Sequence, residues 1–215
     1  MYMYPSCLMW VIMVVSLSGC AVGQKFSYDN ITINLGSAGA IGNFSIAVLD
    51  FREYVKSGNK SESFVGLSRG GFGNPFDVET RSGSALASEM AAAIAASLQR
   101  KGAEVQTVMV RPVEGPEGAR RALLRTGHDR LLLFTLREWK TDTMFRTGLD
   151  FDVTLDVFDG GGKSLGGSHV SGREVSGGSI LSAEKDSQRW FAAKVYELLR
   201  DKSVTSGLQQ TKSPD

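Results

Sequence analysis

Thiols and imidazoles are scarce. The 215-residue chain has two cysteines, Cys7 and Cys20, and two histidines, His128 and His169. The first nineteen residues contain no Asp, Glu, Lys or Arg, and neither charge dominates the chain, since 24 basic side chains stand against 23 acidic ones for a net charge of +1. A balance this close to neutral supplies no basic field for nucleic acid and no acidic tail. Nor is there an apolar run long enough for a permanent span. Leu8 to Val15 (LMWVIMVV) is unbroken and continues to Leu17, short of the roughly 20 residues a membrane helix needs. It has the character of a signal-peptide h-region.

The residues after that run are Leu17-Ser18-Gly19-Cys20, small side chains leading into a cysteine. The motif resembles the lipobox of bacterial lipoproteins, which implies that residues 1–19 are a signal peptide and that Cys20 becomes the acylated first residue. The n-region MYMYPS departs from the pattern in having no Lys or Arg. A multiply acylated cysteine holds a membrane firmly, at ~0.8 kcal/mol per buried methylene. Ala21 rather than Asp follows Cys20; by similarity to enterobacterial sorting, this implies the outer membrane, facing the periplasm. Cys7 leaves with the signal and Cys20 carries lipid, so the mature chain keeps no thiol for a disulfide, a redox pair or a nucleophile. Removing residues 1–19 from the 215 leaves 196, enough for one core that coheres by packing.

Residues 20–43 read as a lipidated tether with one short β-like run at Ile31-Thr32-Ile33, and residues 44–202 as a single α/β domain. Phe44 to Phe51 (FSIAVLDF) suits a central strand covered on both faces. Residues 52–83 show no periodicity and read as a long loop rich in Gly and Phe. Ser84 is a candidate cap for a helix in which Leu86, Met90, Ile94 and Leu98 recur every four residues, and Gly102 is its left-handed stop. Ala103 to Val110 alternates as a strand, so strand, helix and strand make a βαβ unit with parallel strands. Pro116 starts a short helix that Gly127 ends, and Asp129 to Lys140 is a third strand. Gly148 to Phe158 alternates strictly, Asp159-Gly160-Gly161-Gly162 is a turn, and Lys163 to Glu174 returns. Ser182 opens a last helix with Phe191, Val195, Leu198 and Leu199 on its buried stripe, and residues 203–215 are a polar tail. The expected fold is α/β (α+β): a four- to five-stranded mixed sheet, a βαβ unit followed by a β-meander, with helices mainly on one face.

The lipobox, the strand FSIAVLDF leading to an alanine-rich helix that ends KGAEV, and the block LLLFTLREWKTD with LDFDVTLDVFDGGGKSLGG together resemble the YajG-type lipoproteins of Gram-negative envelopes. The first-strand pattern is also similar to the N-terminal domain of TolB and to CsgG-like proteins, which implies action through assembly. The likeness carries no catalytic signature. The long Gly and Phe loop departs from it.

Two motifs in that loop invite a chemical reading. Gly66, Ser68 and Gly70 spell G-x-S-x-G, and Arg69-Gly70-Gly71 could pass for an RNA-binding segment. A nucleophile elbow needs a strand before the serine and a helix directly after it, but Gly70-Gly71-Phe72-Gly73-Asn74-Pro75 cannot start a helix. The formal triad is Ser68, Asp152 and His169. Asp150, Asp152 and Asp156 share one strand face with ~6.6–6.8 Å between alternate residues, too far apart to converge on one cation. They suit ion pairs with Arg137, Lys140 or Arg173. No metal or cofactor is expected. A ligand crevice is expected beyond the strands' C-terminal ends, where Asp50, Arg52, Glu53, Tyr54 and Arg111 lie beneath the loop that carries Phe64, Arg69, Phe72 and Phe76. Its phenylalanines either fold back onto the sheet or form a surface for a partner or lipid. The expected role is non-enzymatic, an accessory or assembly function in the envelope with a protein partner or self-assembly. A small-ligand or lipid carrier is the alternative, and hydrolysis at the GLSRG stretch is a third.

Overall fold

The computed structural model describes residues 23–35, 42–178 and 180–209. The expected signal peptide and Cys20 lie outside the described residues. Eight strands form one mixed sheet: β1 (Lys25–Phe26), β2 (Asn43–Asp50), β3 (Phe64–Arg69), β4 (Pro75–Thr80), β5 (Glu104–Thr107), β6 (Arg130–Thr143), β7 (Thr147–Asp159) and β8 (Ser164–Val175). The helices are α1 (Glu53–Lys56), α2 (Leu86–Gln99), α3 (Gly115–Leu124), α4 (Ala183–Leu199) and α5 (Lys202–Gln209).

β6 organises the sheet. Along one edge it pairs antiparallel with β7 over its whole length. Along the other it pairs parallel with β2 as far as Leu136, and then with β3 from Thr141 to Thr143. β2 and β5 are parallel, as the βαβ reading expects. Alternation decides which side each residue faces. Phe44, Ile46 and Val48 of β2, with Leu132, Phe134 and Leu136 of β6, enter the large core beneath α2 and α4, whereas Ala47, Leu49, Leu131 and Leu133 meet α3 on the opposite face. A bulge between Leu136 and Glu138 resets the alternation, and Trp139 thereby joins the large core. The odd-numbered apolar residues of β7 face that core, so the aspartates between them face outward.

Five expectations need correction. The sheet has eight strands, because three short ones carry too little pattern to be read. The span 52–83 is not one loop: it folds as α1 and the β3–β4 hairpin, held by β6 on one side and β1 on the other. Residues 23–35 do not hang free as a tether. Phe26, Tyr28, Ile31, Ile33 and Leu35 are buried in the large core, and their amides bond to helices: Ser27 N donates to Glu184 Oε1 at 2.9 Å, Tyr28 N to Glu89 Oε2 at 2.8 Å and Ile33 N to Ser97 Oγ at 3.1 Å. The tail forms α5 through Gln209, with Val204 and Leu208 buried. Ser84 does not cap α2. Ala85 holds the cap position, and the Leu86 amide donates instead to Glu62 O at 2.8 Å. Among the described residues, no helix is long and apolar enough to cross a membrane.

Candidate functional site

The expected crevice is partly a clamp. β2 leaves β6 at Leu136 and β3 arrives only at Thr141, so the edge of β6 between them lacks a strand partner. Arg52, fully buried, fills that gap. Its Nη1 donates to Trp139 O at 3.0 Å and to Phe64 O at 2.8 Å, while Nε and Nη2 grip Asp50 Oδ1 and Oδ2 at 2.8 and 2.6 Å. Burial alone would disfavour the charged guanidinium, but the hydrogen bonds and charge of Asp50 outweigh it and hold Arg52 protonated more firmly than usual. Tyr54 closes the gap from above, with its hydroxyl donating to Glu138 Oε1 at 2.7 Å and its ring set edge-on to Phe64 at 5.5 Å between centroids. Burial pushes the Tyr54 phenol well above its usual range. Glu53 merely pairs with Lys56 at the surface.

Beside this clamp lies an open groove of about 230 Å³ between the start of α2 and the exit of β5. Val48, Asp50, Glu62, Ala87, Val108 and Arg111 contribute to its walls. Arg111 stands at its rim, paired with Glu114 at 3.2 Å. The structure thus brings Asp50 and Arg111 to one groove, but the carboxylate of Asp50 is taken by Arg52.

The loop residues divide. Phe64 is buried at the start of β3, and Phe76 is half-buried on β4. Phe72 is fully exposed at the hairpin tip. Arg69 binds Asp142 in a bidentate pair at 2.7 and 2.6 Å, which ties β3 to β6. A second, shallower depression of about 440 Å³ opens beside that pair, reaching Met144, Phe145, Arg146 and Arg173. Sequence reasoning missed this region. Its signal was the pair Met144-Phe145, apolar residues in a turn between two strands.

The catalytic readings find no geometry. Ser68 lies inside β3, followed by a hairpin turn rather than a helix, and it pairs with Phe76 and Thr143. Asp152 and His169 do meet, at 2.9 Å across β7 and β8, but Asp152 is opposite Glu138, five residues along β6 from the partner of Ser68. His128 is spent on structure: its Nδ1 lies 2.7 Å from the buried Ser45 hydroxyl and 3.0 Å from Phe44 O. The outward aspartates are laced to neighbouring strands. Asp150 pairs with Lys140 and Arg173, and Asp152 with Arg137. Partial burial raises the pKa of Asp156, against the pull of Arg137.

No family model and no curated protein sequence matches the chain. Among solved structures, it is similar to a Xanthomonas campestris protein of the DUF330 family, at 9% identity and a TM-score of 0.52, covering 82% of this chain and 92% of that one. Lower-scoring neighbours are the lipoprotein GNA1162 of Neisseria meningitidis (15% identity, TM-score 0.33, 74% and 97% covered) and PelC of Paraburkholderia phytofirmans, solved as a dodecamer (16% identity, TM-score 0.36, 84% and 95% covered). At these identities, the likeness to the DUF330 protein is one of fold: an α/β domain built on a mixed sheet.

Proposed function

We propose that this protein is a non-enzymatic lipoprotein of the Gram-negative envelope, held by lipid on Cys20 at the periplasmic face of the outer membrane and acting by assembly with an envelope protein or with itself. The observation that carries the reading is Leu17-Ser18-Gly19-Cys20 placed directly after the apolar run. The likeness to YajG-type lipoproteins supports it. So does the use of the buried pair Asp50 and Arg52 as a strand clamp rather than as reactive groups. Labelled palmitate should enter the wild-type chain and not Cys20→Ala, and photocrosslinkers at positions 64–76 should capture one dominant protein species in cells. An unlabelled wild-type chain recovered from the cytosol would refute the anchor.

A second reading, a carrier for a small ligand, is favoured by the groove beside Arg111. Native mass spectrometry of the domain purified from cells separates the two. The assembly reading expects protein oligomers without added small-molecule mass, and the carrier reading expects the reverse.

A further inference from the structure

Two hairpin tips project from the same end of the sheet. Ser68 pairs with Thr143 and Arg69 with Pro75, so the β3–β4 turn around Phe72 sits beside the β6–β7 turn formed by Met144, Phe145 and Arg146. The Arg69–Asp142 pair joins the two strands just below their tips. Phe72 is entirely in water and Phe145 is 81% exposed, an arrangement that the rest of the fold does not require.

The direction in which the chain enters the domain says what these tips face. β1 runs parallel to β4, with Lys25 opposite Glu79 and Phe26 opposite Thr80. Gly23 lies against the Asp77 backbone, nearer still to the Pro75 end of β4 where the tip begins. The chain therefore comes into the domain from the tip side. Gly23 is three positions after Cys20, a reach of about 10 Å even when fully extended. A lipid on Cys20 would have its bilayer at this end of the sheet.

The chemistry of the tips suits that surface. Exposed phenylalanines bury into the headgroup and acyl boundary of a membrane, and arginines beside them attract anionic headgroups. Arg146 forms no ion pair among the described residues, and Arg173 shares Asp150 at 3.4 Å. The one carboxylate lining the depression beside the β6–β7 tip, Asp142, is paired with Arg69.

We propose that the paired hairpin tips carrying Phe72 and Phe145, flanked by Arg146 and Arg173, sit in the headgroup layer of the same bilayer that holds the lipid on Cys20. The lipid alone decides only which end of the sheet lies near the bilayer and leaves the domain free to tilt about that point. The tips supply two further contacts and fix it, with β6 and β7 rising away from the membrane. This rests on the proposed acylation and adds an orientation to it.

The test uses the full acylated chain in vesicles of phosphatidylethanolamine and phosphatidylglycerol. An environment-sensitive fluorophore is attached through Gly71→Cys or Phe145→Cys at the tips, or through Lys163→Cys at the far end of β7. Lipids carrying a quencher on the acyl chain should quench the two tip labels several-fold more than the label at 163. Adding Phe72→Ser should return the label at 71 to a watery signal while the melting temperature stays unchanged, since Phe72 packs on nothing. Equal, watery signals at all three positions in a palmitate-labelled protein would overturn the orientation and leave the anchor standing. Absence of palmitate would instead strike the anchor, with the tip labels still reporting on vesicle contact. Tip labels that are shielded in cells but wet on pure lipid would also refute the proposal, because that face would then belong to a protein.

Discussion

Arg52 sits at the junction where β6 passes from β2 to β3. It neutralises Asp50 and donates to two carbonyls at the switch from β2 to β3, Phe64 O and Trp139 O, the second of which the Tyr54 hydroxyl also reaches at 3.3 Å. Removing one partner of a buried pair typically costs about 3–5 kcal/mol. Arg52→Met should therefore lower the denaturation midpoint steeply, and Asp50→Asn should cost less because the amide oxygen still accepts. Gly66 is equally constrained: a Cβ there would overlap the Thr141 backbone. Gly66→Ala should lose about 1–3 kcal/mol, the usual range for overpacking, and its urea midpoint checks this. Tyr28 gives a pH signature. Burial pushes its phenol to about 12 from an ordinary value of 10.0, while Ser187 and Trp139 donate or share hydrogen bonds that pull the other way. Because the folded value is the higher one, the stability due to keeping it neutral is complete below pH 10 and vanishes as pH rises through 12. Tyrosinate absorbance from Tyr28 should accordingly appear together with unfolding, and the pH of alkaline unfolding should shift in Tyr28→Phe.

Among the elements, α5 is the plainest case of structure set by packing rather than propensity. Its sequence KSVTSGLQ contains Gly, Ser and two β-branched residues, all indifferent helix formers. It forms because it lies very close to β8: a Cβ on Gly207 would strike the Leu165 backbone, and one on Gly166 would strike Ser203. Gly207→Val should detach this helix, reducing stability by about 1–3 kcal/mol and accelerating amide exchange in β8 ahead of β2. The glycines of Leu165-Gly166-Gly167 were the available sign, since glycine inside a strand often marks close backbone approach. β2, α2, β7 and α4 could be read because each carries its own repeat, and their burial follows it. β3 and β4 could not, because their order comes from β6, more than seventy positions later in the chain for the Arg69–Asp142 pair. The candidate groove was legible as a position at the strand ends, but Arg52 had the look of a ligand contact. Only the gap between Leu136 and Thr141, a property of the assembled sheet, reveals its task.

At the scale of the whole molecule, the first described segment closes on α4, some 160 positions later in the chain. Residues 23–35 lie on α2, β6 and α4, with Gln188 Nε2 donating to Ser27 O at 2.7 Å and the Tyr28 hydroxyl bonded to Ser187. A chain ending at Ser182 should keep β2, β6 and β7 yet leave Phe26 and Tyr28 without their seat. Limited proteolysis should cut it near Lys25, while the full chain resists there. The first stretch of the domain to be synthesised is thus the last to find its place, since its seat on α4 does not exist until the chain is nearly finished. Its N-terminal side therefore has no complete seat to close on until α4 is present.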